Sequence, residues 1–214
     1  MAFKEKEFIK INYTARVKNG GVFDTTDEEV AKKEGLEGRG PFGPQVICLG
    51  QAFTLAGLEQ KLIGKDIGKH VIELPAAEAF GKKDAKLIKL FPTKKFIEQQ
   101  VMPEPGVVVN MDGMYGMIRT VSGGRTTVDF NHPLSGKDVV YEVEIVGSVD
   151  DLTEKVKATV THILDASAHI EVTDNVAKVG IHHEIPPQLL DHFKKKIIEL
   201  SGVGDVVFDV HKQH

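Results

Sequence analysis

The sequence predicts an α+β fold built on antiparallel strands, with a small β-meander inserted into the first domain and an α/β module at the end. Three observations carry this. Residues 8–17 and 139–146 alternate apolar and polar side chains, the mark of half-buried strands. Between them, GVVVNMDGMYGMIRTVSGGRTTVDF has a strand-and-turn rhythm of its own, in a connection too long for a loop. After GSVDD the pattern changes to strands accompanied by one strongly amphipathic helix.

In FIKINYTARV, Ile9, Ile11, Tyr13, Ala15 and Val17 share one face, with Lys10, Asn12, Thr14 and Arg16 opposite. KNGG supplies a turn, and VFDTT begins the returning strand. Thr26 and Glu29 have capping-box spacing, so a short helix is expected through VAKKEG, closed by Gly35. GLEGRGPFGP is a loop. Its Gly38-x-Gly40-x-x-Gly43 is formally a dinucleotide fingerprint, but no strand precedes it, Pro41 and Pro44 interrupt it and no helix follows. Leu55, Leu58 and Leu62 in TLAGLEQKLIG recur at helical spacing, and Gly64 suits the helix end. HVIELP is a strand that runs into AAEAFG.

The intervening piece reads as three short strands, with turns at Asp112-Gly113 and Gly123-Gly124. VVYEVEIV then puts Val139, Tyr141, Val143 and Ile145 on one face. Further on, EKVKATVTHI and HIEVTDNVAKVGIHH read as strands. PPQLLDHFKKKIIELSG reads as a helix with prolines at its start, Gly202 at its end and a stripe of Leu189, Phe193, Ile197 and Leu200. DVVFDV is a last strand. The expected domains are 1–83 with 130–150, an insert at 84–129, and a module at 151–214.

Composition excludes several classes. A net charge of −4 gives no electrostatic case for nucleic acid or an anionic membrane. Cys48 is the only cysteine, so no intramolecular disulfide is possible and a reducing compartment is expected. MAFKEKEF lacks the apolar core of a signal peptide, and no run nears the ~18 apolar residues of a membrane helix, so a cytoplasmic protein is expected. Among the nine histidines, His182-His183 and the tail HKQH are the best metal candidates. Neighbours on a strand point to opposite faces, and no Cys-His cluster or HExxH exists, so no metal and no cofactor is expected.

The segments INYTARVKNGGVFDTT, LAGLEQKLIGKDIGKHVIELPAAEAFG and NHPLSGKDVVYEVEIV resemble the FK506-binding-protein family of peptidyl-prolyl isomerases. With the insert ahead of VDFNHPLSGK, the resemblance is to the SlyD-like branch, and the C-terminal module resembles the long archaeal type. The resemblance implies a curved antiparallel sheet wrapped round a short helix, with an apolar cleft lined by Tyr13, Phe23, Asp24, Leu55, Leu58, Phe80 and Tyr141. It implies catalysed rotation of Xaa-Pro bonds, proline-containing or unfolded polypeptides as partners, macrolide inhibitors, and pairing of chains through the C-terminal module. Phe80 stands where the family often has Tyr, and Leu58 where its short members have Trp. By itself VFD is more simply a turn, since Asp commonly bonds its own backbone. Only joint placement with the aromatic residues argues for a cleft wall.

Four of the five methionines fall between 102 and 117. Methionine is adaptable and over-used on promiscuous surfaces. Met102, Met111, Met114, Tyr115, Met117 and Ile118 are therefore expected to bind clients, and the resemblance to SlyD-like proteins implies a chaperone role for that insert. The competing reading is a holdase that grips proline segments without useful catalysis.

Overall fold

The computed structural model describes residues 2–38, 40, 42–164, 168–181 and 185–210. The His182-His183 pair and the HKQH tail lie outside the described residues. The chain is mixed α/β, with antiparallel pairing in its two larger sheets and one parallel pair in a third, and forms two compact units, Met1–Leu74 with Val139–His214, and Pro75–Asp138.

The first unit begins with β1 (Phe8–Val17), β2 (Val22–Thr25), α1 (Glu28–Glu34), β3 (Gln45–Cys48), α2 (Ala56–Leu62) and β4 (Gly68–Leu74). The second unit holds β5 (Ile88–Pro92), α3 (Thr93–Glu98), β6 (Val108–Met111), β7 (Met114–Ser122) and β8 (Arg125–Asp129). The chain returns to the first unit with β9 (Val139–Ser148), α4 (Leu152–Ile163), β10 (His169–Thr173), β11 (Val176–Ile181), α5 (Pro187–Ser201) and β12 (Asp205–Val210).

The main sheet has the order β2-β1-β9-β4, and β3 also pairs with β1. One edge of β1 is thus shared. β3 takes Phe8 to Ile11, and β2 takes Thr14 to Arg16. Asn12 and Tyr13 fall in the gap, where the Tyr13 N–H donates to Thr26 Oγ1 at 2.8 Å and its carbonyl accepts from the Thr26 N–H at 2.9 Å. Thr26 is therefore engaged with β1, and the cap of α1 falls to Asp27, whose carboxylate accepts from the Glu29 and Val30 N–H groups. The alternation expected for β1 and β9 places Ile9, Ile11, Ala15, Val139, Tyr141, Val143 and Ile145 in the core, beside Leu58 and Leu62 of α2.

EKVKATVTHI is helical rather than extended. Asp151 caps α4 by accepting from the Glu154 N–H at 2.8 Å. Its buried residues, Val156, Thr159 and Val160, have helical spacing, which decided against the β-branched content. In α5 the inward stripe is Leu190, Ile197 and Leu200, whereas Leu189 is exposed. By contact, residues 151–214 belong to the same compact unit as the main sheet. Leu200 packs with Phe8, Cys48 and Val149, and His162 stacks on Phe53 with centroids 4.3 Å apart.

The second unit is a four-stranded sheet, β5-β8-β7-β6, around Phe96, Val109, Met111, Ile118 and Val128. β5 and α3 were not anticipated. Gly116 sits where an added Cβ would meet Val128 Cγ1 at 2.6 Å, so the strand needs glycine for close packing. A bulge between Ile118 and Thr120 leaves Arg119 unpaired in the ladder, and its side chain reaches Asp129 at 3.0 Å.

Candidate active site

Register builds the site. In the β1–β9 ladder Tyr13 lies opposite Val143, and Ala15 opposite Tyr141. The two tyrosines are diagonal neighbours on the inner face, with centroids 5.8 Å apart. In the β1–β2 ladder Ala15 lies opposite Asp24, but Arg16 lies opposite Val22. Phe23 is the extra residue of a β-bulge. A regular strand would send Phe23 and Asp24 to opposite faces. The bulge instead lets both reach the same aromatic pair. Phe23 meets Tyr141 edge-on at 6.1 Å, and Asp24 Oδ2 accepts the Tyr13 hydroxyl at 2.8 Å.

Burial pushes the Tyr13 phenol far above its ordinary value. The charge of Asp24 and its hydrogen bond raise it further, against a lowering hydrogen bond from the Gln45 side chain. Burial also raises Tyr141, with the Asp24 charge second. Both phenols therefore stay protonated at neutral pH, and that of Tyr13 donates to Asp24. A cavity of about 200 Å³ opens in the gap along β1, between Tyr13, Asp24, Thr25, Leu36, Phe42 and Gln45.

Leu58 is fully buried on α2, and Leu55, the residue before that helix, is half-buried. Phe80 belongs to the second unit, where its ring stacks on His132 at 4.9 Å and its carbonyl accepts from the Ser135 hydroxyl.

Two site residues had no role in the sequence reading. Gln45 was hidden because the strand PQVICLG carries no alternation long enough to read. Glu59 is fully buried, and its carboxylate accepts the backbone N–H groups of Gln51, Ala52 and Thr54 at 2.7–3.0 Å. It ties the connection after β3 to α2. An acid one position after Leu58, within the helical apolar stripe, was the only available signal.

The expected client residues divide. Met102 and Tyr115 are 76% and 72% exposed, Met114 is also exposed, and Met117 is half-buried. Met111 and Ile118 are buried in the core of the second unit, so they offer no surface. A small meander needs its own core, and strand alternation selects these two for it. Ile88, Leu90, Ile97 and Val108 are exposed in the same unit and were not anticipated.

Among the described residues no His, Cys, Asp and Glu group could hold a metal ion, and no helix is long and apolar enough to cross a membrane.

Residues 89–134 match the family model described as FKBP26, IF domain. A short-type peptidyl-prolyl cis-trans isomerase of Methanocaldococcus jannaschii is 28% identical over 66% of this chain and 91% of its own length. An FKBP-type 16 kDa peptidyl-prolyl cis-trans isomerase of Escherichia coli is 38% identical over 48% of this chain and 72% of its own. The FKBP-type isomerase SlyD of Aeromonas hydrophila is 29% identical over 64% of this chain and 60% of its own.

Proposed function

The chain belongs to the FKBP-type peptidyl-prolyl cis-trans isomerases, and on that premise we propose that Tyr13, Phe23, Asp24 and Tyr141 form the wall against which an Xaa-Pro bond rotates. The observation that carries this reading is the bulge at Phe23, which brings a carboxylate to half-buried Tyr13 and an aromatic ring to buried Tyr141.

The reaction needs no nucleophile. Rotation about a peptide bond must break amide resonance, a barrier of ~18–20 kcal/mol. Proline brings cis and trans close in energy but leaves exchange slow. The planar amide is more polar than the twisted one. A dry aromatic wall therefore disfavours the ground state relative to the transition state, and a cleft shaped for the twisted imide binds it preferentially. Lowering the barrier by ~5 kcal/mol accelerates exchange several-thousandfold. Asp24 holds the Tyr13 hydroxyl in place. Its charge also sets a field across the rotating bond, in surroundings where water screens little. In this reading Leu55, half-buried ahead of α2, contributes to the floor of the cleft, whereas Leu58 is fully buried and offers a substrate no surface.

The second unit is proposed to capture unfolded chains. Met102, Met114, Tyr115, Val108 and Ile97 give it exposed apolar side chains on a scaffold with a core of its own. A captured chain is tethered to the enzyme, which raises the effective concentration of its prolines, on the order of mM for short tethers. The same exposed residues favour the second reading, a holdase with little catalysis. A proline-limited refolding assay separates the two. Acceleration of the slow phase is expected. Suppressed aggregation with an unchanged slow phase would leave only the holdase.

A further inference from the structure

We propose that His162 and Lys196 are positioning residues for catalysis, clamping the segment 50–55 that presents Leu55 to the cleft. The inference rests on the isomerase reading, with Leu55 at the cleft floor, and gives the C-terminal helices a part in it. The segment contains a strained residue. Ala52 has a φ of 60°, in the left-handed region that a side chain disfavours. Such a conformation persists only where the surroundings over-determine it, and it is typical of functional sites. Ala52 is itself exposed, so its conformation is held through its N–H and through its neighbours.

The Ala52 N–H donates to the Glu59 carboxylate at 3.0 Å, as the Gln51 and Thr54 N–H groups also do. The residues on either side of Ala52 are gripped from the C-terminal elements. His162, near the end of α4, stacks on Phe53 with centroids 4.3 Å apart and planes at 18°. Phe8 meets the same ring edge-on at 6.0 Å. Lys196 of α5 donates to Gln51 Oε1 at 3.1 Å, a charge-assisted bond. Burial lowers the pKa of His162, so at neutral pH the ring stacks as a neutral aromatic. Glu59 thus fixes the backbone of the segment, and α4 and α5 fix the side chains that flank its strained residue. Without the stack and the lysine, Ala52 can relax towards ordinary backbone conformations. Leu55 lies two residues beyond Phe53 and moves with it. A small misplacement of a group that faces the reacting bond costs rate more than binding.

The experiment measures kcat and KM on one Xaa-Pro tetrapeptide, at a temperature where each variant keeps the native dichroism. His162→Ala is expected to lower kcat/KM about tenfold, chiefly through kcat, and Lys196→Met about threefold. His162→Phe keeps a ring on Phe53 and should stay within about twofold of native. Adding Ala52→Gly to His162→Ala should recover most of the loss, because glycine takes the left-handed conformation without strain. A contact that merely held the fold together would move the melting temperature and leave these rates alone. Values within about twofold of native in both His162→Ala and Lys196→Met overturn the inference and leave the isomerase reading intact. So does a loss in His162→Ala that His162→Phe shares and Ala52→Gly does not recover. Should His162→Ala fail to fold, Lys196→Met decides by the same margin. Failure of the native chain to turn over the peptide sinks the isomerase reading and the inference with it.

Discussion

The Tyr13 hydroxyl donates to the Asp24 carboxylate at 2.8 Å, and removing each partner has separable effects. Asp24→Ala is expected to lower kcat/KM on short Xaa-Pro peptides at least about tenfold, the scale of one positioned electrostatic group. The circular dichroism spectrum should stay native. An unchanged rate would return Asp24 to the ordinary role of a turn-forming acid. The tyrosines give a pH signature. Their folded phenols ionise well above the ~10 of an unfolded chain. Below that value both states hold the proton and stability is unaffected. Above it the unfolded state releases protons that the native state keeps, so stability falls as pH rises. Phenolate absorbance from Tyr13 and Tyr141 should therefore appear only with unfolding. Tyr13→Phe and Tyr141→Phe identify the two contributions by difference. Phenolate from both residues in a chain with native dichroism would contradict the buried placement.

Elements are held by buried carboxylates at their ends. Glu59 anchors three backbone N–H groups of the segment that leads into α2. Glu59→Ala leaves those donors without an acceptor, at a cost of about 2–4 kcal/mol, measurable as a lower urea midpoint. A variant within 0.5 kcal/mol of native, a margin of about surface-substitution size, would mean water replaces the carboxylate at no cost. In the second unit Asp129 is 2% exposed. Burial alone would raise its carboxyl, but hydrogen bonds from Lys83, Asn131 and Arg119 outweigh this and hold it well below the usual range. The folded value lies beneath the unfolded one. The stabilisation is thus complete above pH ~4 and is lost progressively as pH falls below it. Asp129→Asn should flatten that acid limb in a chemical-denaturation series. These acids were poorly legible in the sequence. A hydrophobic pattern announces which residues turn inward, whereas a buried acid is explained only by donors that folding brings to it. The bulges at Phe23 and Arg119 were equally silent, because an extra residue in a strand shows only against its partner strand.

At the scale of the whole chain, the two units allow a direct test of client capture. Asp84 N–H donates to Asn131 Oδ1 at 2.8 Å, so the ends of the span 84–129 already lie close together. Replacing that span by a short turn should leave tetrapeptide turnover within a few fold of native. Activity on an unfolded protein should fall much further, through KM, because the tethering surface is gone. Equal losses on both substrates would place the span in the catalytic machinery and end the capture reading. The C-terminal elements behave differently. A chain cut after Asp151 loses Leu200 from its cluster with Phe8, Cys48 and Val149, and loses the His162 stack on Phe53. It should melt at a lower temperature than the full chain, since removing a buried leucine typically costs 2–5 kcal/mol. An unchanged melting temperature would show that this packing contributes nothing. We also expect full-length chains to associate and cut chains not to. Equal sedimentation of the two would exclude pairing through residues 151–214.

The sequence by itself determined the faces of β1 and β9, the run of β6 to β8 and the amphipathic span of α5, because the periods of strand and helix are properties of the backbone. Through its resemblance to the FK506-binding-protein family it also implied Tyr13, Phe23, Asp24 and Tyr141 as cleft residues. Only the tertiary structure decided that α4 is a helix and that Met111 and Ile118 face inward. It alone revealed that Phe23 and Asp24 reach the same rings and that Gln45 stands beside Tyr13. Each of these depends on a partner far along the chain, such as the opposing strand of a bulge or the far side of a split sheet edge. Local periodicity holds no information about which partner the folded chain will supply.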